Sequence, residues 1–444
     1  MKSNSVSPAR LAAFEILLRV EEGAYASVLL AFREAELTPA DRALCHELVM
    51  GVLRRRLWLD CLIEYYAKRK IKDLDVAVRL ILQLGLYQLR FLSRVPPSAA
   101  VNESVNLVHF ARLRSAGSLV NAVLRRATRE PEADPTSNVQ DPFERLAIAT
   151  SHPVWLLERW SDAFGAEKAE AFAHANNEPA PVAFRVVRNR AEEGEVCERL
   201  RGSGAELVPS KIARGAWRIT GAGSLLAEFA AEGKVYLQDE ASQLVAAVLD
   251  AKPGQRVLDL CAAPGSKTTQ IADITRDEAT IIAADIHAHR LRTVVSSAKL
   301  HGLNGIHCVG LDGLEPLPFP EGSFDCVLVD APCSGTGTLR RNPEIRWRIS
   351  PADIEDLAGR QRKLLSRAAR VVKSGGRLVY STCSVEIDEN EAVVQTFLEN
   401  NQSFGRVALP LDASLLTSSG AARTWPHREG TDGFFVSAFE RKGE

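Results

Sequence analysis

The chain has 444 residues, 55 Lys+Arg against 56 Asp+Glu, 46% hydrophobic and 25% charged side chains. These proportions exclude a disordered chain, a collagen-like repeat and a uniformly basic nucleic-acid binder. The near-neutral balance conceals a division, because residues 1–130 hold 20 Lys+Arg and 13 Asp+Glu, net +7, whereas residues 131–444 hold 35 and 43, net −8.

No run approaches the roughly 18 apolar residues of a membrane span, and charges interrupt the amino-terminal stretch where a signal peptide would be apolar. A cytoplasmic protein is expected. The cysteines, Cys45, Cys61, Cys197, Cys261, Cys308, Cys326, Cys333 and Cys383, are scattered, without a CxxC or the paired Cys/His spacing of a zinc site. Reduced thiols and no metal are expected.

From residue 8 to 130 apolar side chains recur at helical spacing: Leu11, Phe14, Leu17 and Leu18, then Val78, Leu82, Leu86 and Leu89, then again between Val101 and Leu124. Pro8, Pro39 and Pro96-Pro97 punctuate the pattern. Residues 1–130 therefore read as an all-α bundle. Its cations gather at Arg54, Arg55 and Arg56, at Lys68, Arg69, Lys70 and Lys72, and at Arg125, Arg126 and Arg129, which points to an RNA-facing surface. The Pro/Asp/Ser-rich stretch PEADPTSNVQDP, 131–142, reads as a linker. Residues 143–240 read as a small α+β module, with helical WLLERWSDAFGAEKAEAFAHANN followed by short strand-like runs around the helix EEGEVCERL.

In the remainder, 241–444, strand-like runs at 256–260, 280–286, 305–310, 324–330 and 376–382 alternate with helical stretches. That alternation means a doubly wound, Rossmann-like parallel sheet, whose ligand sits beyond the carboxyl ends of the strands. The chemically loaded residues fall there. DLCAAPGSKTT, Asp259–Thr269, follows the first strand; its small residues let a ligand approach the backbone, and the next helix offers free N–H groups. It is neither a Walker A loop nor GxGxxG, and it suits a ligand without a pyrophosphate, such as S-adenosylmethionine (SAM). Asp285 ends the second strand, where an acid accepts hydrogen bonds from a ribose. Arg290 follows on the helix, and Asp312 follows the third strand.

The fourth strand runs into VDAPCSGTG with Asp330 and Cys333, and the fifth into YSTCS with Cys383. Both thiols should reach one side of a common cleft in polar loops that can support a thiolate. Carbon 5 of cytosine is too weak a nucleophile to take a methyl group directly. A thiolate adding to carbon 6 makes it enamine-like, and a carboxylic acid at ring nitrogen 3 stabilises the developing charge. A SAM loop, an Asp and a Cys thus fit pyrimidine carbon-5 methylation better than methylation of nitrogen or oxygen. Which thiol attacks is left open by the residues alone. The next segment, LRRNPEIRWRIS, sets Arg340, Arg341, Arg346 and Arg348 around Trp347 and suits phosphate contact and base stacking.

Taken together, DLCAAPGSK, DAPCSGTG, RRNPEIRW and STCS, with QDEAS upstream and PHREGTDGFF near the end, resemble the Sun/RsmB family of RNA 5-methylcytosine methyltransferases. The first 130 residues resemble the NusB-like RNA-binding domain fused to its bacterial members. The resemblance implies a SAM-dependent enzyme acting on 16S ribosomal RNA, at cytosine 967; a monomer is expected. It implies SAM binding through the loop Cys261, Ala262, Ala263, Pro264, Gly265, Ser266 and Lys267, and through Asp285, Arg290, Asp312 and Asp330. It also implies Cys383 as nucleophile and Cys333 as the residue assisting adduct breakdown. The family loop usually reads CAAPGGK; here Ser266 stands in place of the second Gly. A tRNA methyltransferase with the same chemistry, or a non-catalytic RNA-binding assembly factor, are the alternatives.

Overall fold

The computed structural model describes residues 6–33 and 36–443. The chain divides into two compact units: residues 1–179 with 339–348, and residues 180–338 with 349–444.

The first unit is helical: α1 (Pro8–Glu21), α2 (Ala26–Arg33), α3 (Pro39–Arg54), α4 (Arg56–Ala67), α5 (Val76–Phe91), α6 (Pro97–Phe110), α7 (Gly117–Arg129), α8 (Pro142–Thr150), α9 (Val154–Phe164) and α10 (Ala166–Ala175). Prolines at the first turns of α1, α3, α6 and α8 occupy positions where no backbone N–H is needed. The core joins Phe14 and Leu17 of α1, Leu48 of α3, Leu62 and Ile63 of α4, Ile81 and Leu82 of α5, and Leu124 of α7. Helices α8–α10, read from the sequence with the 143–240 module, cluster by contact with this unit. α8 packs on α4 and on α9, and Trp160 and Phe172 close the α9–α10 pair on each other with centroids 4.5 Å apart.

The segment 339–348 also belongs here, which corrects the expected role of Arg346 and Arg348. Arg346 is fully buried and donates to the carbonyls of Thr150 (3.2 Å) and Ser151 (3.1 Å) and to Asn177 Oδ1 (3.0 Å). Arg348 donates to the carbonyls of Val20 (2.6 Å), Gly23 (3.1 Å) and Ala24 (2.7 Å) at the end of α1. Arg340 is buried as well. The guanidiniums of Arg346 and Arg348 satisfy carbonyls left over at helix ends and are not a phosphate-reading surface. The cluster at Arg54–Arg56 is committed in the same way: Arg54 donates to Arg340 O, Arg55 to Ala149 O, and Arg56 pairs with Glu21 at 3.0 Å. Lys68, Arg69, Lys70, Lys72, Arg125 and Arg129 remain exposed.

The second unit starts with a four-stranded antiparallel sheet of β1 (Val182–Val186), β2 (Glu206–Pro209), β3 (Ala216–Thr220) and β4 (Val235–Leu237), in the order β2-β3-β1-β4. Helices α11 (Glu193–Gly202) and α12 (Gly223–Ala231) cover it, with Phe184, Leu200 and Phe229 fully buried between the layers. Helix α13 (Glu240–Leu249) leads to the large sheet, whose strands are β5 (Arg256–Asp259), β6 (Thr280–Asp285), β7 (Ile306–Gly310), β8 (Phe324–Asp330), β9 (Val372–Thr382), β10 (Phe404–Arg406), β11 (Ala422–Arg423) and β12 (Phe435–Arg441). Their order is β10-β12-β9-β8-β5-β6-β7, with β11 beside β12.

Strands β5 to β9 are parallel neighbours, and β12 enters antiparallel beside β9. Helices α14 (Ser266–Ile274), α15 (Ala288–His301), α16 (Pro351–Arg370) and α17 (Glu391–Asn400) flank the sheet. Both faces are therefore covered, so β8 reads as a nearly continuous apolar run, with Phe324, Val327, Leu328 and Val329 fully buried. From β5 the chain winds one way through β6 and β7, then returns to β8 and β9 on the other side. The direction reverses between β5 and β8, which is where such sheets open a ligand crevice. Among the described residues no helix is long and apolar enough to cross a membrane.

Candidate active site

At that switch point lies a cavity of about 470 Å³ whose lining includes Cys261, Ala263, Asp285, Arg290, Asp312, Asp330, Cys333 and Cys383. Its size is within the roughly 300–1,000 Å³ of small-molecule sites. Ala262, Pro264, Gly265, Ser266 and Lys267 do not line it; they form the turn behind it and the start of α14.

The turn after β5 is held at both ends. Asp285 Oδ2 accepts from Ala263 N at 3.3 Å, and Arg290 Nη2 donates to Ala263 O at 3.1 Å. Asp285 Oδ1 accepts from His287 N at 2.9 Å, and Asp312 Oδ1 from Leu314 N at 2.9 Å. Gly265 has φ +106°, and a Cβ there would lie 3.1 Å from the Val294 backbone. Only glycine combines that conformation with that approach. Ser266 is the first residue of α14 and has no positive φ, so the position at which this chain departs from the usual CAAPGGK makes no such demand.

The reactive groups sit between β8 and β9. Asp330 and Ser381 are register partners across the two strands, and Ser381 Oγ donates to Asp330 Oδ1 at 2.7 Å. Lys267 reaches from α14 to Asp330 Oδ2 at 2.6 Å. Burial works against the Lys267 ammonium, but the charge and hydrogen bond of Asp330, and then Cys383, outweigh it and hold its pKa up. Because β8 and β9 are parallel and in register, the loops beyond them run side by side. The Cys333 and Cys383 sulfurs are 3.2 Å apart. Hydrogen bonding to Cys383, then burial, then the charges of Cys383 and Glu389 push the Cys333 thiol well up. Burial likewise raises Cys261 well above the ordinary thiol range, so that side chain serves as packing. Burial lifts Asp259 to about 7, against the hydrogen bond it accepts from Thr268 at 2.7 Å.

Several contributors had no advance signal. Gly337 N donates to Cys383 O at 2.9 Å, and Gly433 N donates to Gly337 O at 2.8 Å. A Cβ on Gly337 would stand 1.9 Å from Gly433 O, so GTG and TDG are glycine-bearing because two backbones touch beside the thiols. The buried Glu389 and Asn390, in the acidic run after STCS, hold both loops. A charged residue within EIDENE gives nothing by itself to separate it from a solvated turn. No group of three or more His, Cys, Asp or Glu that could hold a metal ion occurs among the described residues.

A doubly wound sheet with this crevice, strand order and antiparallel last strand defines a Rossmann-like methyltransferase domain. The profile described as 16S rRNA methyltransferase RsmB/F matches residues 246–440, the NusB family matches 7–129, and a RsmF/B-like ferredoxin-like domain matches 152–225. The chain is 35% identical to the probable ribosomal RNA small subunit methyltransferase B of Bacillus subtilis (strain 168), covering 100% of both chains. It is 33% identical to ribosomal RNA small subunit methyltransferase B of Escherichia coli O17:K52:H18, over 95% of this chain and 96% of that one. The solved methyltransferase homolog protein from Pyrococcus horikoshii is 28% identical with a TM-score of 0.60, covering 68% of this chain and all of the other. The chain belongs to the ribosomal RNA small subunit methyltransferase B family.

Proposed function

We propose that the protein transfers a methyl group from SAM to carbon 5 of a cytosine in 16S ribosomal RNA, cytosine 967 by family resemblance, through a covalent adduct at Cys383. The observation that carries this reading is the pair of thiols 3.2 Å apart in one cavity with Asp330. Transfer to a nitrogen or an oxygen needs no thiol, whereas carbon 5 becomes nucleophilic only after addition at carbon 6.

The cofactor's surroundings are the turn 261–267, with Asp285 and Asp312 at the ends of successive strands and Arg290 beside Asp285. The Gly265 approach supports this assignment, since a side chain there would drive the turn off α15. SAM supplies an electrophilic methyl group and leaves as its thioether. The Cys383 thiolate adds to carbon 6 as ring nitrogen 3 takes up a proton that Asp330 holds by hydrogen bond and that is given back on elimination; the protonated Lys267 beside Asp330 offsets the negative charge at that edge. Carbon 5 takes the methyl group, a base removes the carbon 5 proton, and the electron pair expels Cys383 as thiolate. Cys333 assists that release. Since carbon 6 is hidden in a stacked helix, the target is an unpaired or flipped-out cytosine. The exposed Lys68–Lys72 stretch and Arg125 and Arg129 of the NusB-like region supply the RNA contacts.

Bisulfite sequencing of ribosomal and transfer RNA from cells with and without the gene tests this. One 16S cytosine should lose protection without the gene and regain it with the wild-type copy but not with Cys383→Ser. Loss in tRNA instead, or rescue by Cys383→Ser, overturns the reading.

A further inference from the structure

Three buried residues, Glu389, Asn390 and Gln361, bracket the two thiols with hydrogen bonds. Glu389 is fully buried. One of its carboxylate oxygens accepts from Ser334 N at 2.8 Å and Gln361 Nε2 at 2.9 Å; the other accepts from the hydroxyls of Ser334 and Ser384. Gln361 also donates to Pro332 O at 2.9 Å. Asn390 Nδ2 donates to Ser384 O at 2.9 Å, and its oxygen accepts from Thr382 Oγ1 at 2.6 Å. Pro332 and Ser334 flank Cys333, and Thr382 and Ser384 flank Cys383, so the fixed points lie on both sides of both sulfurs. Tyr380 OH donates to Glu389 O at 2.6 Å and fixes the backbone of the brace itself.

The two thiols also differ in the charge they face. The ionisable groups facing Cys333 include Cys383, Glu389 and the buried phenol of Tyr380, which Arg362 of α16 faces in turn. Cys383 has Lys267 as its neighbouring cation. Burial raises the Glu389 carboxyl, and the four donors around it oppose that rise.

We propose that Glu389 is a positioning residue that locks the two thiol loops at their working separation and, by its charge, disfavours the thiolate at Cys333 so that Cys383 is the sulfur that attacks. This rests on the assignment of Cys383 as nucleophile.

The test uses the full-length protein, with Cys333 alkylation by iodoacetamide followed across pH by peptide mass spectrometry. Glu389→Gln preserves shape and removes the charge. It should move the Cys333 profile to lower pH by about one unit, which is about tenfold more alkylation at a fixed pH below the transition. Glu389→Ala should lower kcat by roughly 10- to 100-fold, with SAM affinity within about twofold of wild type, because the reacting atoms are misplaced while the cofactor turn is untouched. Glu389→Gln should recover most of that rate. A Glu389→Gln profile superimposable on wild type, or a wild-type kcat in Glu389→Ala, overturns the proposal. If Glu389→Ala does not fold, the Glu389→Gln profile alone decides. Methylation that survives Cys383→Ser would sink the nucleophile assignment instead, while the Cys333 profile still reports on Glu389.

Discussion

Lys267 Nζ lies 2.6 Å from Asp330 Oδ2, and the same ammonium stands 5.2 Å from the centre of the Phe434 ring. A cation this buried is held by its one carboxylate partner and by the ring face. Lys267→Met keeps the length of the side chain and removes the charge, leaving Asp330 without its partner. The expected result is a loss of kcat of roughly 100-fold, since charge stabilisation at the pyrimidine edge is lost. A Lys267→Met enzyme with wild-type turnover would mean that Asp330 works without the pair.

The 3.2 Å approach of Cys333 to Cys383 predicts the opposite behaviour for the second thiol. Cys333→Ala leaves the attacking sulfur in place and removes its neighbour. A protein–RNA adduct stable to denaturing electrophoresis should accumulate, at one adduct per active site. The double variant Cys333→Ala/Cys383→Ser should show none. Adduct in the double variant would place the covalent bond on another residue.

The glycine geometry separates two adjacent positions that look alike in the sequence. Gly265→Ala puts a Cβ on a residue at φ +106° and 3.1 Å from the Val294 backbone, so SAM binding should weaken by at least about tenfold through displacement of the turn. Ser266→Gly restores the usual family residue at a helical position and should leave SAM affinity within about threefold, helix propensity being the main change. Isothermal titration of both variants with SAM checks this. Equal losses would show that the second position also constrains the turn.

The parallel strands and the loops beyond them were legible because a strand buried on both faces is a continuous apolar run and its chemistry follows at the carboxyl end. VDAPC and YSTCS carried that pattern. What escaped was anything set by another part of the chain. Arg346 and Arg348 beside Trp347 have the composition of an RNA-binding patch, yet their partners are carbonyls at Thr150, Ser151 and the end of α1, hundreds of residues away. The pairing of Lys267 with Asp330 and the contact of Gly337 with Gly433 are likewise long-range. Local spacing reports which face of an element is apolar, and it is silent on which distant polar group a buried charge will meet.

The buried Arg346 leads to a stability prediction for the helical unit. Its loss removes this donor from the Ser151 carbonyl and Asn177 Oδ1, and leaves the Thr150 carbonyl with only the Asn177 Nδ2 bond at 2.7 Å. Arg346→Ala should cost about 2–4 kcal/mol, while the RNA affinity of the protein that remains folded stays within about twofold. Arg346→Lys should recover only part, because one ammonium cannot span the acceptors that a planar guanidinium reaches. A large fall in RNA affinity at unchanged stability would return the residue to a phosphate-contact role.

Asp259, at the end of β5, is one contributor to the pH dependence of the catalytic unit's stability. Burial raises its pKa to about 7 from an ordinary 3.8. The folded chain therefore holds this proton more tightly than the unfolded chain. The sign follows: the contribution is fully present below about pH 4 and is lost as pH rises toward 7, at up to about 1.4 kcal/mol per pH unit. Asp259→Asn keeps the shape of the protonated acid and can keep the bond to Thr268. Its urea midpoint for this unit should fall less than that of the wild type between pH 5 and 7, and above pH 7 the variant should be the more stable of the two. Parallel curves across that range would show that Asp259 is ionised in the folded protein at all these pH values, its burial offset by Lys267 and Thr268.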